Sequence, residues 1–205
     1  MAFKEYLKEK FGINEPIYLE EIQYEDYSRP WIFKELKKLV DSGELKRFDT
    51  GIYYFPKKMF YGDSYLNSRK IAERRFLTDG NDVYGYIAGF SLLNQTGISS
   101  QVPRFLELVT NNESTRVRDI GVGNQLVRAR RSRTTVTKEN YLTLQFLELM
   151  KSISPKSMDE TERFMLSKYI KATDVKKEAV TQYMGLFPAK AIKNMMESGA
   201  VYELT

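Results

Sequence analysis

Residues 28–56 constrain the chain most, because a proline-opened amphipathic helix runs directly into a two-strand turn signal. Ser28 stands where an N-cap is wanted, and Pro30 lies near the first helical position, where its missing N–H costs nothing. Over Trp31–Val40 the apolar residues Ile32, Phe33, Leu36, Leu39 and Val40 recur at helical spacing, which predicts one face on a core. Ser42-Gly43 stops this helix. Leu45–Phe48 and Ile52–Phe55 are β-rich runs joined by Asp49-Thr50-Gly51, with glycine where the turn needs positive φ, and Pro56 closes the unit.

Upstream, Ala2–Phe11 is amphipathic through Phe3, Tyr6, Leu7 and Phe11 and ends at Gly12. After Pro16 a brief second helix is expected over Tyr18–Ile22, and Tyr24–Tyr27 reads as a polar turn. Three helices followed by a hairpin is the order of a winged helix-turn-helix. Such units lay the third helix in the major groove of DNA while the hairpin touches backbone.

On a helical projection Trp31, Lys34 and Lys38 lie opposite the apolar stripe, with Lys37 at its edge. Arg29 sits at the helix N-terminus, where backbone amides favour phosphate. An aromatic on the polar face, Trp31, calls for a thymine methyl, a sugar or another protein. The expected contacts to double-stranded DNA are therefore Ser28, Arg29, Trp31, Lys34, Lys38, Arg47 and Thr50, followed by Lys57 and Lys58. The same face would serve a protein-interaction adaptor that docks a partner chain and binds no DNA.

The remainder gives an α+β chain in three parts. These are a winged helix-turn-helix over residues 1–60, an α/β domain with a small antiparallel sheet over 61–153, and a helical C-terminal region over 154–205. The middle part reads as helices over Tyr65–Leu77 and Tyr86–Leu93, then strands over Phe105–Val109, Val117–Val122 and Leu126–Ala129. Helices follow over Asn140–Ser152, Met158–Ile170, Val175–Met184 and Pro188–Met196. Residues 1–60 carry 11 basic and 11 acidic side chains, so the net charge of +5 lies downstream; residues 61–137 hold 11 basic against 7 acidic. Arg116, Arg118, Arg128 and Arg130 decorate the expected strands and suit backbone or partner contacts, since a guanidinium binds phosphate and carboxylate through two donors at once.

The chain contains no Cys and no His, which removes disulfides, thiol catalysis, Ser-His and Cys-His triads and every His-ligated metal. Asp79, Asp82, Glu107 and Asp119 are the candidates for a Mg²⁺-dependent nuclease or transferase, but they lack a diagnostic spacing. No enzyme activity and no cofactor are expected. No apolar run is long enough to span a membrane, and the N-terminus MAFKEYLKEK lacks the apolar stretch of a signal peptide, so a cytoplasmic protein is expected. No heptad seam indicates an oligomeric state.

The run SRPWIFKELKKLVDSGELKRFDTGIYYFP, taken with LLNQTGISSQVPRFLELVTNN, resembles the bacterial abortive-infection AbiE antitoxin-like regulators. The likeness is closest to a branch with an Asn–x–x–Gly–Leu–Ser–Thr–Gln–Val–Pro-like loop before a strand. The loop here reads Asn94-Gln95-Thr96-Gly97-Ile98-Ser99-Ser100-Gln101-Val102-Pro103. The likeness extends over residues 15–150. It implies a type IV antitoxin and transcriptional autoregulator, encoded beside a nucleotidyltransferase-like toxin, whose winged helix binds its own operator. The implied operator-binding role falls on Arg29, Trp31, Lys34, Lys38 and Arg47; no residue of the middle domain receives a role from it.

Overall fold

Leu7, Ile17, Leu36 and Leu45 are each at most 1% exposed, and they tie the N-terminal elements into one core. The computed structural model describes residues 2–24 and 27–205. The chain divides into two units, residues 1–71 and 72–205. The first contains α1 (Phe3–Phe11), β1 (Ile17–Tyr18), α2 (Arg29–Asp41), β2 (Lys46–Asp49) and β3 (Ile52–Tyr54). The three strands form an antiparallel sheet in the order β1-β3-β2.

The brief helix expected over Tyr18–Ile22 is not formed. Ile17 and Tyr18 pair with Tyr53 and Ile52, and only Leu19–Glu21 makes a single 3₁₀ turn. A segment this short cannot support a helical nucleus, whereas a β-branched and an aromatic residue on a sheet edge bury both side chains. The polar turn expected over Tyr24–Tyr27 includes Glu25 and Asp26, which lie outside the described residues. The Asp49-Thr50-Gly51 turn forms as its residues dictate. Gly51 sits at φ 73°, and the Asp49 carboxylate accepts the Thr50 N–H at 2.7 Å.

A second hairpin follows, β4 (Lys58–Met59) with β5 (Gly62–Asp63). Its base is fixed by Asp63, which bridges Lys46 at 2.8 Å and Lys58 at 2.7 Å. The hydroxyl of Ser64 accepts the Lys57 N–H at 2.8 Å and donates to Asn14 at 2.6 Å. The helix α3 (Ser68–Phe76) then carries the chain across the unit boundary.

The second unit is built on a four-stranded sheet of β6 (Gly85–Ile87), β7 (Leu106–Thr110), β8 (Arg118–Val122) and β9 (Gln125–Arg131), in the order β6-β7-β9-β8. It is mixed, where the sequence suggested a purely antiparallel sheet: β7 and β9 run parallel. Burial explains the order. Val127 and Ala129 of β9 are fully buried, so β9 takes a central place beside Leu106 and Leu108, while the exposed Arg118 and Asp119 leave β8 at the edge.

The helix expected over Tyr86–Leu93 splits into β6 and α4 (Gly89–Gln95). Gly85 enforces this, because a Cβ there would lie 2.1 Å from the Phe76 carbonyl oxygen and 2.8 Å from that of Val109. The remaining helices are α5 (Tyr141–Ser152), α6 (Glu160–Thr173), α7 (Lys177–Tyr183) and α8 (Ala189–Glu197), which brings the α-helices among the described residues to eight. Boundaries were expected after residues 60 and 153. The division instead falls at residue 71, and residues 154–205 share a unit with the sheet, α8 packing on α5. Asn194 of α8 locks this contact by donating to the carbonyls of Met150 and Ile153 at 2.9 and 2.8 Å.

One ionic cluster joins α5 to the sheet. Glu148, 3% exposed, pairs with Arg130 of β9 and with Lys151 one turn along its own helix. Burial works against the Glu148 charge, but Arg130 and Lys151 outweigh it and hold the carboxyl below its ordinary range. A depressed folded-state pKa contributes stability above the unfolded pKa, and that contribution is lost as pH falls through the folded value.

We predict that Glu148→Gln destabilises the protein by about 3 kcal/mol at neutral pH, since it leaves two partly buried cations unpaired. In urea unfolding the gap from the wild-type chain should narrow as pH falls into the acid range; a constant gap would contradict the account. Gly85→Ala should cost about 2 kcal/mol by forcing two backbones apart, read as a lower urea midpoint at unchanged slope.

Candidate functional site

The helix α2 has two unlike faces. Ile32 and Leu36 are buried, with Leu39 and Val40 packed against the same core. The opposite surface exposes Arg29, Phe33, Lys34, Lys37 and Lys38, residues that fall on adjacent helical rows. Arg29, Lys34 and Lys37 have no ion-pair partner among the described residues, whereas Lys38 pairs with Glu35. Ser28 occupies the N-cap position, and its carbonyl accepts the Ile32 N–H at 3.1 Å, but its side chain makes no capping bond.

Two aromatic residues exchange their expected places. Phe33, assigned to the core stripe by its spacing, is 47% exposed. Trp31, expected on the polar face, packs on the core. Its ring stacks on Tyr27 at 4.1 Å and Tyr24 at 5.8 Å, and meets Phe3 edge-on at 5.3 Å. The partner that Trp31 calls for is therefore intramolecular, and Phe33 is the aromatic that α2 offers outward.

The hairpin β2–β3 brings its two candidates together. Arg47 donates through Nε to the Asp49 carbonyl and through Nη2 to the Thr50 hydroxyl, both at 3.3 Å. A register shift between Arg47 and Asp49 gives this tip its bulge. Sequence reasoning missed the second hairpin, whose tip exposes Met59, Phe60 and Tyr61, the last two above 90%. Its signal was present in Lys58 and Asp63, which pair across the strands, and in Gly62 at φ 117°.

The arginines of the sheet are mostly engaged. Arg118 pairs with Glu113 at 2.9 Å, Arg128 grips both oxygens of Asp119 at 2.8 Å and lies 4.3 Å over the Phe105 ring, and Arg130 holds Glu148. The hydrogen bond and charge of Arg128 hold the Asp119 carboxyl below its usual range. Glu113 also lies low. Burial pushes it up, but bonds from the Thr115 N–H and hydroxyl, with the Arg118 charge, overcome that. Arg116 alone of these four projects without a partner among the described residues.

The four acids considered for a metal are not brought together. Asp79 closes a turn by accepting the N–H groups of Asn81 and Asp82, both at 2.9 Å. Glu107 accepts the Phe90 N–H at 3.1 Å, and Asp119 is held by Arg128. Among the described residues no group of three or more acids gathers in metal-binding geometry. In the loop Asn94–Pro103, Ile98 is buried, the Ser99 N–H donates to the Leu93 carbonyl at 3.0 Å, and Val102 is 87% exposed. No helix among the described residues is long and apolar enough to cross a membrane.

Among curated proteins no sequence matches the chain. A family model described as a family of unknown function matches residues 17–178, which takes in the sheet of each unit together with α2 and α5. The chain therefore belongs to the DUF6088 family.

Proposed function

We propose that residues 1–71 form a winged helix that binds double-stranded DNA through α2 and the β2–β3 hairpin, and that the protein is a transcriptional autoregulator without a catalytic site. The observation that carries this reading is the outward face of α2, where Arg29, Lys34 and Lys37 have no ion-pair partner among the described residues and surround an exposed Phe33. The element order supports it. A helix, a short strand, a single turn, a longer helix and a hairpin follow one another, and the short strand closes the hairpin into a three-stranded sheet. In such units the longer helix enters the major groove and the hairpin meets backbone. Phe33 is suited to a thymine methyl and the three cations to phosphates.

The likeness of the Asn94–Pro103 loop to AbiE-type antitoxins extends the reading. The DNA is then the protein's own operator, and the activity opposes a nucleotidyltransferase toxin encoded alongside. The protein acts in the cytoplasm. A second reading, docking of a partner protein, is favoured by the exposed Met59-Phe60-Tyr61 tip.

Fluorescence anisotropy with a duplex from the protein's own upstream region separates the two. Operator affinity should exceed that for a random duplex, and Lys34→Ala combined with Lys37→Ala should lower it about tenfold. With Arg29, Lys34, Lys37 and Arg47 on phosphates, log K should fall against log salt with a slope of about −3 to −4. Equal affinity for random duplex, or double-variant binding like the wild type, refutes the operator reading. Loss of partner capture only on Phe60→Ser would favour docking instead.

A further inference from the structure

The parallel pairing of β7 and β9 sets their carboxyl ends side by side. The first residue of β6, Gly85, pairs with Thr110, and the first of β8, Arg118, pairs with Ala129, so every strand contributes a terminus to this end of the sheet. Crevices form at the carboxyl ends of parallel strands because the loops leaving them diverge. Two adjoining grooves of about 380 and 450 Å³ lie here, and they share Asn111 and Arg131. A third hollow also borders Asn111 but carries two acids, Asp82 and Glu139, against one cation, Lys138.

The floor of the grooves is held by backbone-directed bonds. The Asn111 side chain donates to the Val136 carbonyl and accepts the Val136 N–H, both at 2.9 Å. The Ser132 N–H donates to the Thr110 carbonyl at 3.1 Å. Farther along, Asn140 donates to the Thr135 carbonyl at 2.9 Å and accepts the Thr137 N–H at 2.8 Å. The backbone of the loop after β9 is thus pinned at both ends.

Several side chains lining the grooves have no partner among the described residues. The Arg131 guanidinium has no ion pair or hydrogen bond among the described residues, unlike Arg118, Arg128 and Arg130, each of which holds a carboxylate. The hydroxyls of Ser132, Thr134 and Thr135 likewise lack partners among the described residues. Arg133 lines the same groove. It donates to the Leu186 carbonyl, a contact that fixes its position and leaves its charge uncompensated. Among the described residues the only acid lining these two grooves, Glu113, is neutralised by Arg118.

We propose that this groove binds a phosphate-bearing small molecule of about mononucleotide size. Arg131 would pair two phosphate oxygens through its fork, and the Ser132, Thr134 and Thr135 hydroxyls would donate to the rest. The volumes lie in the range of small-molecule sites. The inference concerns residues 72–205 and is independent of DNA binding by the other unit.

Calorimetric titration of the full chain at low ionic strength tests it, using adenosine monophosphate, uridine monophosphate, inorganic phosphate and adenosine. Saturable binding of the monophosphates and of phosphate, with none of adenosine, is expected. Arg131→Ala should weaken it about tenfold or more, with Lys171→Ala, which removes a cation of α6 that lines neither groove, at the wild-type level. Thr134→Val with Thr135→Val should weaken it less. Should Arg131→Ala unfold, Arg131→Lys keeps the charge without the fork and should still bind more weakly than wild type. The proposal is overturned if no phosphate-bearing probe binds, if adenosine binds as well as its monophosphate, or if Lys171→Ala weakens binding as much as Arg131→Ala. It is equally overturned if Arg131→Ala affects only binding of duplex DNA, which would make Arg131 a backbone contact.

Discussion

Phe3, Tyr24, Tyr27 and Trp31 form one aromatic cluster, and the surface that α2 presents depends on it. Ring pairs at 4.1 to 5.8 Å fix the first turn of α2 against α1, so the helix cannot rotate about its axis without breaking them. With Trp31 turned inward beside Ile32 and Leu36, residues 29, 33, 34, 37 and 38 are turned outward. The cationic face is therefore a consequence of core packing. The helix backbone that carries it is held by the same packing, which reduces the ordering cost of binding.

The two units use their basic residues differently. The sheet of the second unit folds around its charges: Arg118, Arg128 and Arg130 answer Glu113, Asp119 and Glu148, and the last of these pairs fastens α5 to β9. Around α2, by contrast, Arg29, Lys34 and Lys37 meet no carboxylate among the described residues. The arginine-rich stretch that dominates the charge of the sequence is largely structural, and the balanced N-terminal stretch holds the cations open to a partner. Arg131, at the carboxyl end of β9, departs from this pattern within the sheet.

Local signals were legible and pairing was not. The Asp49-Thr50-Gly51 turn, the proline-led α2 and the helices α5 to α8 follow from caps, periodicity and glycine placement within a few residues. The strand β1 was missed because Ile17 and Tyr18 are extended only by virtue of β3, more than thirty residues downstream. The parallel β7–β9 pair was missed for a similar reason, since two strands joined through a third carry no local mark of their relative direction. Trp31 and Phe33 sit at opposite flanks of one stripe, and the choice between them is made by Phe3 and Tyr24 outside the helix. The groove at Arg131 was invisible for the same reason: it exists only where the strands end together.

The central claim is that the outward face of α2, with the β2–β3 hairpin, is the surface that meets DNA. Amide chemical-shift mapping of the full chain during titration with a duplex from its own upstream region tests this most directly. The account predicts perturbations concentrated in residues 29–38 and 47–51, with the sheet residues 106–131 unmoved. Perturbations concentrated in the sheet, or none in α2, would contradict it.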